Sequence, residues 1–148
     1  RQYEQIQAIY EGDYCKGKIE FDLERARNAT NFAKRLHLLG NHSDALEQYQ
    51  RAQNLYDGVY CKNKIALDLN RARIASSMGS ILAYTGRLSD AMKQYRKARA
   101  FYSGSFCKSR PKFDRARASI EHELGDLVRE MEGDHAKGIE YYHRSKAW

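Results

Sequence analysis

Three cysteines are the residues whose type and spacing first raise the question of chemistry, because thiolates bind zinc and form disulfides. Cys15, Cys61 and Cys107 stand 46 residues apart. If this spacing reflects stacked helical repeats, their backbones lie at least ~8–10 Å apart, whereas a disulfide needs Cα atoms within about 7 Å. An odd count without a Cys-x-x-Cys pair also argues against zinc. We therefore predict small, partly buried packing residues in a reducing, cytoplasmic compartment.

The histidines and carboxylates do not form a recognisable catalytic motif. His122 and Glu123 adjoin, but the second histidine of a zinc-protease helix is missing, and the sequence has neither a phosphate-binding loop nor a nucleotide-binding glycine triplet. A catalytic site needs a pocket of paired groups with perturbed pKa values. The sequence therefore predicts a protein that is not an enzyme and that has no cofactor and no metal site.

The cysteine spacing belongs to an internal repeat of 46 residues. Residues 10–16, 56–62 and 102–108 share a tyrosine, a glycine, an aromatic residue, the cysteine and a lysine at fixed positions. Each copy also has an aspartate followed three residues later by an arginine, which is the spacing of neighbours on one helix face. We expect these pairs to have a structural role, within a helix or between adjacent repeats. They are Asp22 and Arg25, Asp68 and Arg71, and Asp114 and Arg117.

Each repeat is predicted to contain two helices, helix A and helix B. In the second repeat, apolar residues from Ile65 onward recur every three or four positions, which is typical of an amphipathic helix. Gly86 is suited to end helix A, and Ser89, like Ser43 in the first repeat, is suited to begin helix B as its N-cap. Pro111 falls near the start of the third helix A. The pattern predicts about 20 residues for helix A and about 15 for helix B.

The residues around this helix–turn–helix resemble the tetratricopeptide repeat. The first repeat matches the family pattern except at His42, and the third matches it with one additional residue before Gly133. Tetratricopeptide units usually have about 34 residues, so the present units are longer, which is similar to those of kinesin light chains. The second repeat has the complete series Gly79, Leu82, Gly86, Leu88, Ala91, Tyr95 and Ala98.

The resemblance implies an all-α fold, a right-handed superhelical solenoid of antiparallel helix pairs. We expect one such solenoid over residues 1–148, with about three and a half repeats. Residues 1–12 would be helix B of a truncated repeat, and the others would cover 13–58, 59–104 and 105–148. No polar cap is evident at either end, although such arrays need caps. We therefore predict flanking repeats or domains in a longer parent chain.

In the family that the chain resembles, helix A lines a concave groove that binds peptides. Some members grip the C-terminal carboxylate of a peptide with Lys, Arg and Asn side chains. Arg27, Asn31, Lys34 and Arg73 offer such donors, but the serines of the second repeat do not complete the arrangement, so we predict no carboxylate clamp. The groove positions implied by the resemblance are Arg27, Thr30, Asn31, Lys34, Arg73, Ser76, Ser77, Ser80, Tyr84, His122, Glu123, Asp126 and Arg129.

The sequence has 26 basic and 19 acidic residues and a net charge of +7. Much of the excess lies between residues 93 and 117, where the basic residues of helix B flank buried positions and are expected to face solvent. A basic pair also follows each cysteine, and stacking would align these pairs along one edge, where an acidic partner could bind. The pairs are Lys16 and Lys18, Lys62 and Lys64, and Lys108 and Arg110.

These features predict a non-enzymatic protein–protein interaction scaffold that binds a peptide or a helical segment along the groove of the A helices. No apolar run is long enough for a membrane span. Two alternatives stay open. One is a basic solenoid that binds nucleic acid, for which a steep loss of affinity with salt would be the sign. The other is a structural or oligomerisation arm of a larger protein.

Overall fold

A computed structural model describes residues 1–12, 17–132 and 135–147 of the chain. Every regular element within these ranges is a helix, which confirms the predicted all-α class. The chain forms two compact units, Arg1–Leu67 and Asp68–Trp148. Three residues singled out in the sequence, Cys15, Lys16 and Gly133, lie outside the described residues.

The first unit contains three α-helices, α1 (Gln2–Glu11), α2 (Asp22–Leu38) and α3 (His42–Tyr56). Helix α2 packs against both of the others, and its residues Ala26, Ala29 and Ala33 are fully buried. Small buried side chains bring helix axes close together. α2 and α3 are thus the helix A and helix B predicted for the first repeat.

Polar and aromatic contacts attach α1 to this pair. The ring of Tyr3 stacks on that of Phe32 with 5.7 Å between centroids. The side-chain amide of Asn28, which is almost fully buried, donates to the Tyr3 carbonyl at 3.2 Å. The Gln7 amide donates to the Gln48 side-chain oxygen at 2.6 Å. These contacts attach helix α1 to both α2 and α3, and its assignment to helix B of a preceding repeat stays a prediction.

The second unit contains four α-helices, α4 (Asp68–Tyr84), α5 (Leu88–Tyr102), α6 (Asp114–Glu132) and α7 (His135–Lys146). Each packs against the next along the chain. An added Cβ at Gly79 would lie 3.0 Å from ring carbons of Tyr95, so the glycine lets α4 and α5 approach closely.

The turn between helix A and helix B differs from the prediction. Gly40 and Gly86 have positive φ angles of 78° and 83°, as expected for residues that end helices. The amides of Asn41 and Arg87 bond back to carbonyls five residues earlier, at 2.9 and 2.8 Å. The chain reverses within three residues, and helix B begins directly.

The predicted N-caps Ser43 and Ser89 are therefore wrong. Asn41 and Arg87 precede the helices that begin at His42 and Leu88, and neither forms a side-chain cap. The serines are the second helical residues instead. This shift follows from the compact glycine turn, because only three residues separate the two helices and the last of them is Asn41 or Arg87.

A short 3-10 turn precedes each helix A. The three turns cover Ile19–Phe21, Ile65–Leu67 and Pro111–Phe113. Ile65, predicted to lie on the apolar face of helix A, is 59% exposed, because the α-helix begins only at Asp68. Pro111 occupies the first position of its turn, where a missing amide is tolerated.

An arginine near the start of helix A fixes the connection from the preceding helix. Arg117 is 3% exposed, and its guanidinium donates to the carbonyls of Tyr102 at 3.1 Å and Arg110 at 3.3 Å and also to that of Cys107. It also binds the Asp114 carboxylate at 2.6 Å. We call this arrangement the arginine clamp.

The same clamp is present in the first unit. Arg25 donates to the Tyr10 carbonyl at 3.0 Å and the Lys18 carbonyl at 3.3 Å, and binds Asp22 at 2.7 Å. Arg71 and Asp68 pair at 2.8 Å. The aspartate–arginine pairs thus lie within one helix, as one of the two predicted arrangements has it. Arg25 and Arg117 also donate to backbone carbonyls that precede helix A.

Candidate functional site

The groove residues predicted in the first unit lie on one helix. Arg27, Asn31 and Lys34 are exposed on α2, at spacings of four and three residues that place them on one face. Thr30 is half-buried, and its hydroxyl donates to the Ala26 carbonyl at 2.8 Å. The predicted groove residues of the first unit thus comprise three exposed polar side chains and one whose hydroxyl is hydrogen-bonded to its own helix.

The groove residues predicted on α4 divide in the same way. Arg73, Ser80 and Tyr84 are exposed, and Tyr84 is 79% accessible. Ser76 and Ser77 are half-buried. The Ser80 hydroxyl bonds to the hydroxyl of buried Tyr95 on α5, whose burial raises its pKa to about 12. Ser80 thus joins the packing of the helix pair as well as its surface.

The groove residues predicted on α6 come together around a tyrosine of α7. Asp126 accepts from Arg129 at 3.0 Å and from the Tyr142 hydroxyl, and its second oxygen lies 3.6 Å from the His122 Nε2. The rings of His122 and Tyr142 lie 5.0 Å apart. The bond to Asp126 is the main reason that the Tyr142 pKa is raised. Burial, followed by the charge of Asp126, raises the pKa of nearby Glu123.

The contacts of Tyr142 agree with the additional residue assigned to the third repeat. Tyr95 bonds to Ser80, and Asp126 is the position 46 residues after Ser80. Tyr142 reaches Asp126, although it stands 47 residues after Tyr95. The tyrosine of helix B thus makes the equivalent contact in both repeats of the second unit.

The second unit also has an open cleft of about 540 Å³, which is in the size range of ligand pockets. Three positive side chains reach it: Arg73 from α4, Lys112 from the 3-10 turn and Arg115 from α6. Among the described residues, no carboxylate pairs with any of the three. We call this the cationic cleft. Its lining is Leu69, Arg73, Tyr102, Lys112, Phe113, Arg115, Ala116 and Ser119.

Aromatic residues hold two of these cations at the cationic cleft. The Arg73 guanidinium bonds to the Tyr102 hydroxyl, and its charge opposes the rise in the Tyr102 pKa that burial causes. The Lys112 ammonium lies over the Phe113 ring, 5.2 Å from its centroid. The rings of Tyr102 and Phe113 are themselves buried and 6.2 Å apart, so they form a rigid base beneath the cations.

The cationic cleft was only partly predicted. Arg73 belongs to the predicted groove, but Lys112 and Arg115 were attributed only to the basic stretch between residues 93 and 117. Ser119 was missed, although the repeat register itself identifies it: Arg27, Arg73 and Ser119 are 46 residues apart. Counting in this register would have placed Ser119 on the predicted groove face.

The basic stretch has three different surroundings. Lys93 and Arg96 are exposed on α5, as predicted. Arg99 lies 3.5 Å from the buried carboxylate of Glu121. Lys112 and Arg115 line the cationic cleft, and Arg117 forms the arginine clamp. The stretch is therefore not one continuous basic surface.

The basic pairs after Cys61 and Cys107 each place one cation over an aromatic ring of the same connection. The Lys64 ammonium lies 4.6 Å from the ring centroid of Tyr60, and the Arg110 guanidinium lies 4.3 Å from that of Phe106. Lys62 and Lys108 are exposed. Their alignment along one edge stays a prediction, because the pairs belong to different compact units.

Two of the cysteines are fully buried. Cys61 and Cys107 each have 0% exposure, so they are more deeply buried than predicted. Burial raises the pKa of the Cys107 thiol, which disfavours the reactive thiolate. The predicted packing role fits both residues.

The described residues contain no group of three or more His, Cys, Asp or Glu side chains arranged to hold a metal ion. None of the helices described is both long and apolar enough to cross a membrane. The sequence matches no protein-family model, and no curated protein is significantly similar to it.

Proposed function

We propose that the chain is a non-enzymatic scaffold that binds a peptide segment of another protein along the A helices of a tetratricopeptide-like, right-handed solenoid. The helix pairs support this proposal through their common turn, the close approach at Gly79 and the tyrosine contacts at Ser80 and Asp126. Repeats of this kind bury one face of each helix against neighbours and leave another face for ligands.

One observation carries the proposal. α2 and α4 each have three exposed polar or aromatic side chains at predicted groove positions, and two of the three are equivalent in the repeat, Arg27 with Arg73 and Lys34 with Ser80. On α2 they are Arg27, Asn31 and Lys34, and on α4 they are Arg73, Ser80 and Tyr84. A protein surface with guanidinium, amide, hydroxyl and aromatic groups at a regular spacing suits the backbone and side chains of a peptide.

The distribution of charge favours a protein partner over nucleic acid. Binding to a nucleic acid backbone needs cations along the whole path of the phosphates. The corresponding face of α6 instead carries Glu123, Asp126 and Glu130. These acids would repel a phosphate backbone, whereas a peptide with mixed charges can match both signs.

Selection of peptides from a random twelve-residue library against the full chain tests this proposal. Two variants separate the groove from the outer helices. The groove variant is Asn31→Ala with Lys34→Ala, and its matched control is Gln50→Ala with Lys93→Ala, which removes an amide and an ammonium from α3 and α5. We expect selected peptides to lose about fivefold or more in affinity for the groove variant, as for truncation of a contact worth ~1 kcal/mol.

The control should change the affinity by less than about twofold. Equal losses in both variants, or no peptide that binds specifically, would overturn the proposal. Tight binding of a single-stranded oligonucleotide, with an affinity that falls steeply between 50 and 200 mM salt, would assign the chain to nucleic acid instead.

A further inference from the structure

We propose that the cationic cleft binds a phosphorylated side chain of the partner peptide. This inference rests on the proposed function and identifies the chemical group that the second unit recognises. The cleft brings Arg73, Lys112 and Arg115 to one opening. A phosphoryl group carries a charge of about −1.5 to −2 and three acceptor oxygens, which suits three cations better than a single carboxylate does.

Among the residues that the structure describes, none of these three cations forms an ion pair with a carboxylate. Six other arginines of the described second unit are paired with carboxylates, at Asp68, Asp90, Glu121, Asp114, Asp126 and Glu140. Asp114 adjoins Arg115 in sequence, but its carboxylate binds Arg117 at 2.6 Å. The arginine clamp thus removes the nearest negative charge from the cationic cleft and leaves Arg115 free to bind an external anion.

The positions of the cations are already fixed in part. The Tyr102 hydroxyl holds the Arg73 guanidinium, and the Phe113 ring lies under the Lys112 ammonium at 5.2 Å. Side chains that are held in place before binding lose less conformational entropy when a ligand arrives. Ser119 adds a hydroxyl donor to the same opening, and hydroxyl and guanidinium donors together are typical of phosphate recognition.

The apolar lining favours a phosphorylated side chain over free phosphate or a polynucleotide. Leu69 and Ala116, which are half-buried, provide carbon surface beside the cations, where the stem of a phosphorylated residue can pack. The rings of Tyr102 and Phe113 are buried, so they are not available for stacking on bases, which supplies much of the affinity for single strands.

Fluorescence anisotropy with four labelled peptide pools tests the inference on the full chain. Each pool has degenerate flanks and blocked ends, and the central residue is phosphotyrosine, phosphoserine, glutamate or serine. We expect at least one phosphorylated pool to bind about tenfold or more tightly than the serine pool, and more tightly than the glutamate pool.

Two triple variants with the same change in charge locate the binding. The cleft variant is Arg73→Gln, Lys112→Gln and Arg115→Gln, and the control is Lys93→Gln, Arg96→Gln and Lys146→Gln. All the control residues are exposed and lie outside the cationic cleft. The cleft variant should abolish the preference for phosphorylated peptides, and the control should keep it, with both variants folded by circular dichroism.

Several results would overturn the inference. They are an equal affinity for the phosphorylated and glutamate pools, an equal loss in both variants, or binding of single-stranded DNA that only the cleft variant loses. Unphosphorylated peptides from the random library that bind through Asn31 and Lys34, without any phosphate preference, would leave the proposed function standing while this inference falls.

Discussion

Replacing the clamp residue Arg117 by alanine tests how the long connections of these repeats are held. The guanidinium is 3% exposed and donates to the carbonyls of Tyr102, Cys107 and Arg110. The Tyr102 carbonyl lies in the last turn of α5, where no helical amide follows to bond it. The Cys107 and Arg110 carbonyls keep backbone donors, from Arg110 and Phe113 respectively.

The expected loss of stability follows from this inventory. A buried carbonyl left without a donor costs about 1–3 kcal/mol, and a lost bond from a charged donor about 1.5 kcal/mol or more. The ion pair adds less than about 1 kcal/mol, because the Asp114 side chain is 43% exposed and can be hydrated. We expect the free energy of unfolding to fall by about 3 kcal/mol, or the Tm by about 6–12 °C for a chain of this size.

Urea and thermal unfolding, followed by circular dichroism, measure this loss. The matched control is Arg115→Ala, which removes an exposed arginine from the same helical turn and should change the free energy of unfolding by less than about 0.5 kcal/mol. Arg117→Lys keeps the charge but not the planar fork, so it should recover only part of the loss. A difference below about 1 kcal/mol between the two alanine variants would refute the clamp.

Three further outcomes follow from buried groups. Gly79→Ala should lower the free energy of unfolding by about 1 kcal/mol in urea titrations, because the added methyl group would lie 3.0 Å from ring carbons of Tyr95. This cost exceeds the gain in helix propensity that alanine brings. An equal or higher stability of the variant would contradict the close packing of α4 and α5. Burial raises the pKa of Tyr95 from 10.0 to about 12, so its neutral form contributes stability fully below pH 10, and this contribution is lost as the pH rises to 12. In Tyr95→Phe, the urea midpoint should fall less between pH 10 and 12 than in the unaltered chain. Tyr84→Phe, at an exposed site, should leave this pH dependence unchanged. Equal pH profiles of the urea midpoint in all three proteins would contradict the burial of the Tyr95 hydroxyl. Burial raises the pKa of the Cys107 thiol. At pH 8, iodoacetamide should therefore alkylate Cys107 about 100-fold more slowly in the folded chain than in the urea-unfolded chain, as measured by peptide mass spectrometry. Equal rates would show that the thiol is accessible.

The helix pairs were predictable because their signals are local and periodic. Alanines and glycines at fixed repeat positions mark the contacts between helices, and Gly86 marks a turn that requires a positive φ angle. The starts of the B helices were less predictable. Ser89 has the chemistry of an N-cap, but the glycine turn leaves it inside the helix, and only backbone geometry decides between the two positions.

The arginine clamp was half-predictable for a similar reason. The spacing of Asp114 and Arg117 indicates an ion pair on one helix. The other acceptors of Arg117 are backbone carbonyls, which have no signature in the side-chain sequence. The fixed length of the connection and its repeated glycine and cysteine were the only traces of an ordered loop.

The cationic cleft shows where reasoning from one sequence stops. Arg73 and Arg115 are on different helices, and they reach one opening only because α4 and α6 both border the end of α5. Charge counting assigned Arg115 to a general basic surface. Which of the neighbouring carboxylates were already paired could not be read from the sequence, and that pairing decides which cations can bind an external anion.

Photo-crosslinking of a library-selected peptide to the full chain tests the central claim most directly. The peptide carries a benzophenone at its centre, and the attachment sites are mapped by mass spectrometry. If the A helices form the binding surface, the crosslinks will fall on the exposed faces of α2, α4 and α6, near Asn31, Ser80 and Ser119. Crosslinks concentrated on the outer faces of α3 and α5, around Gln50 and Lys93, would contradict the account.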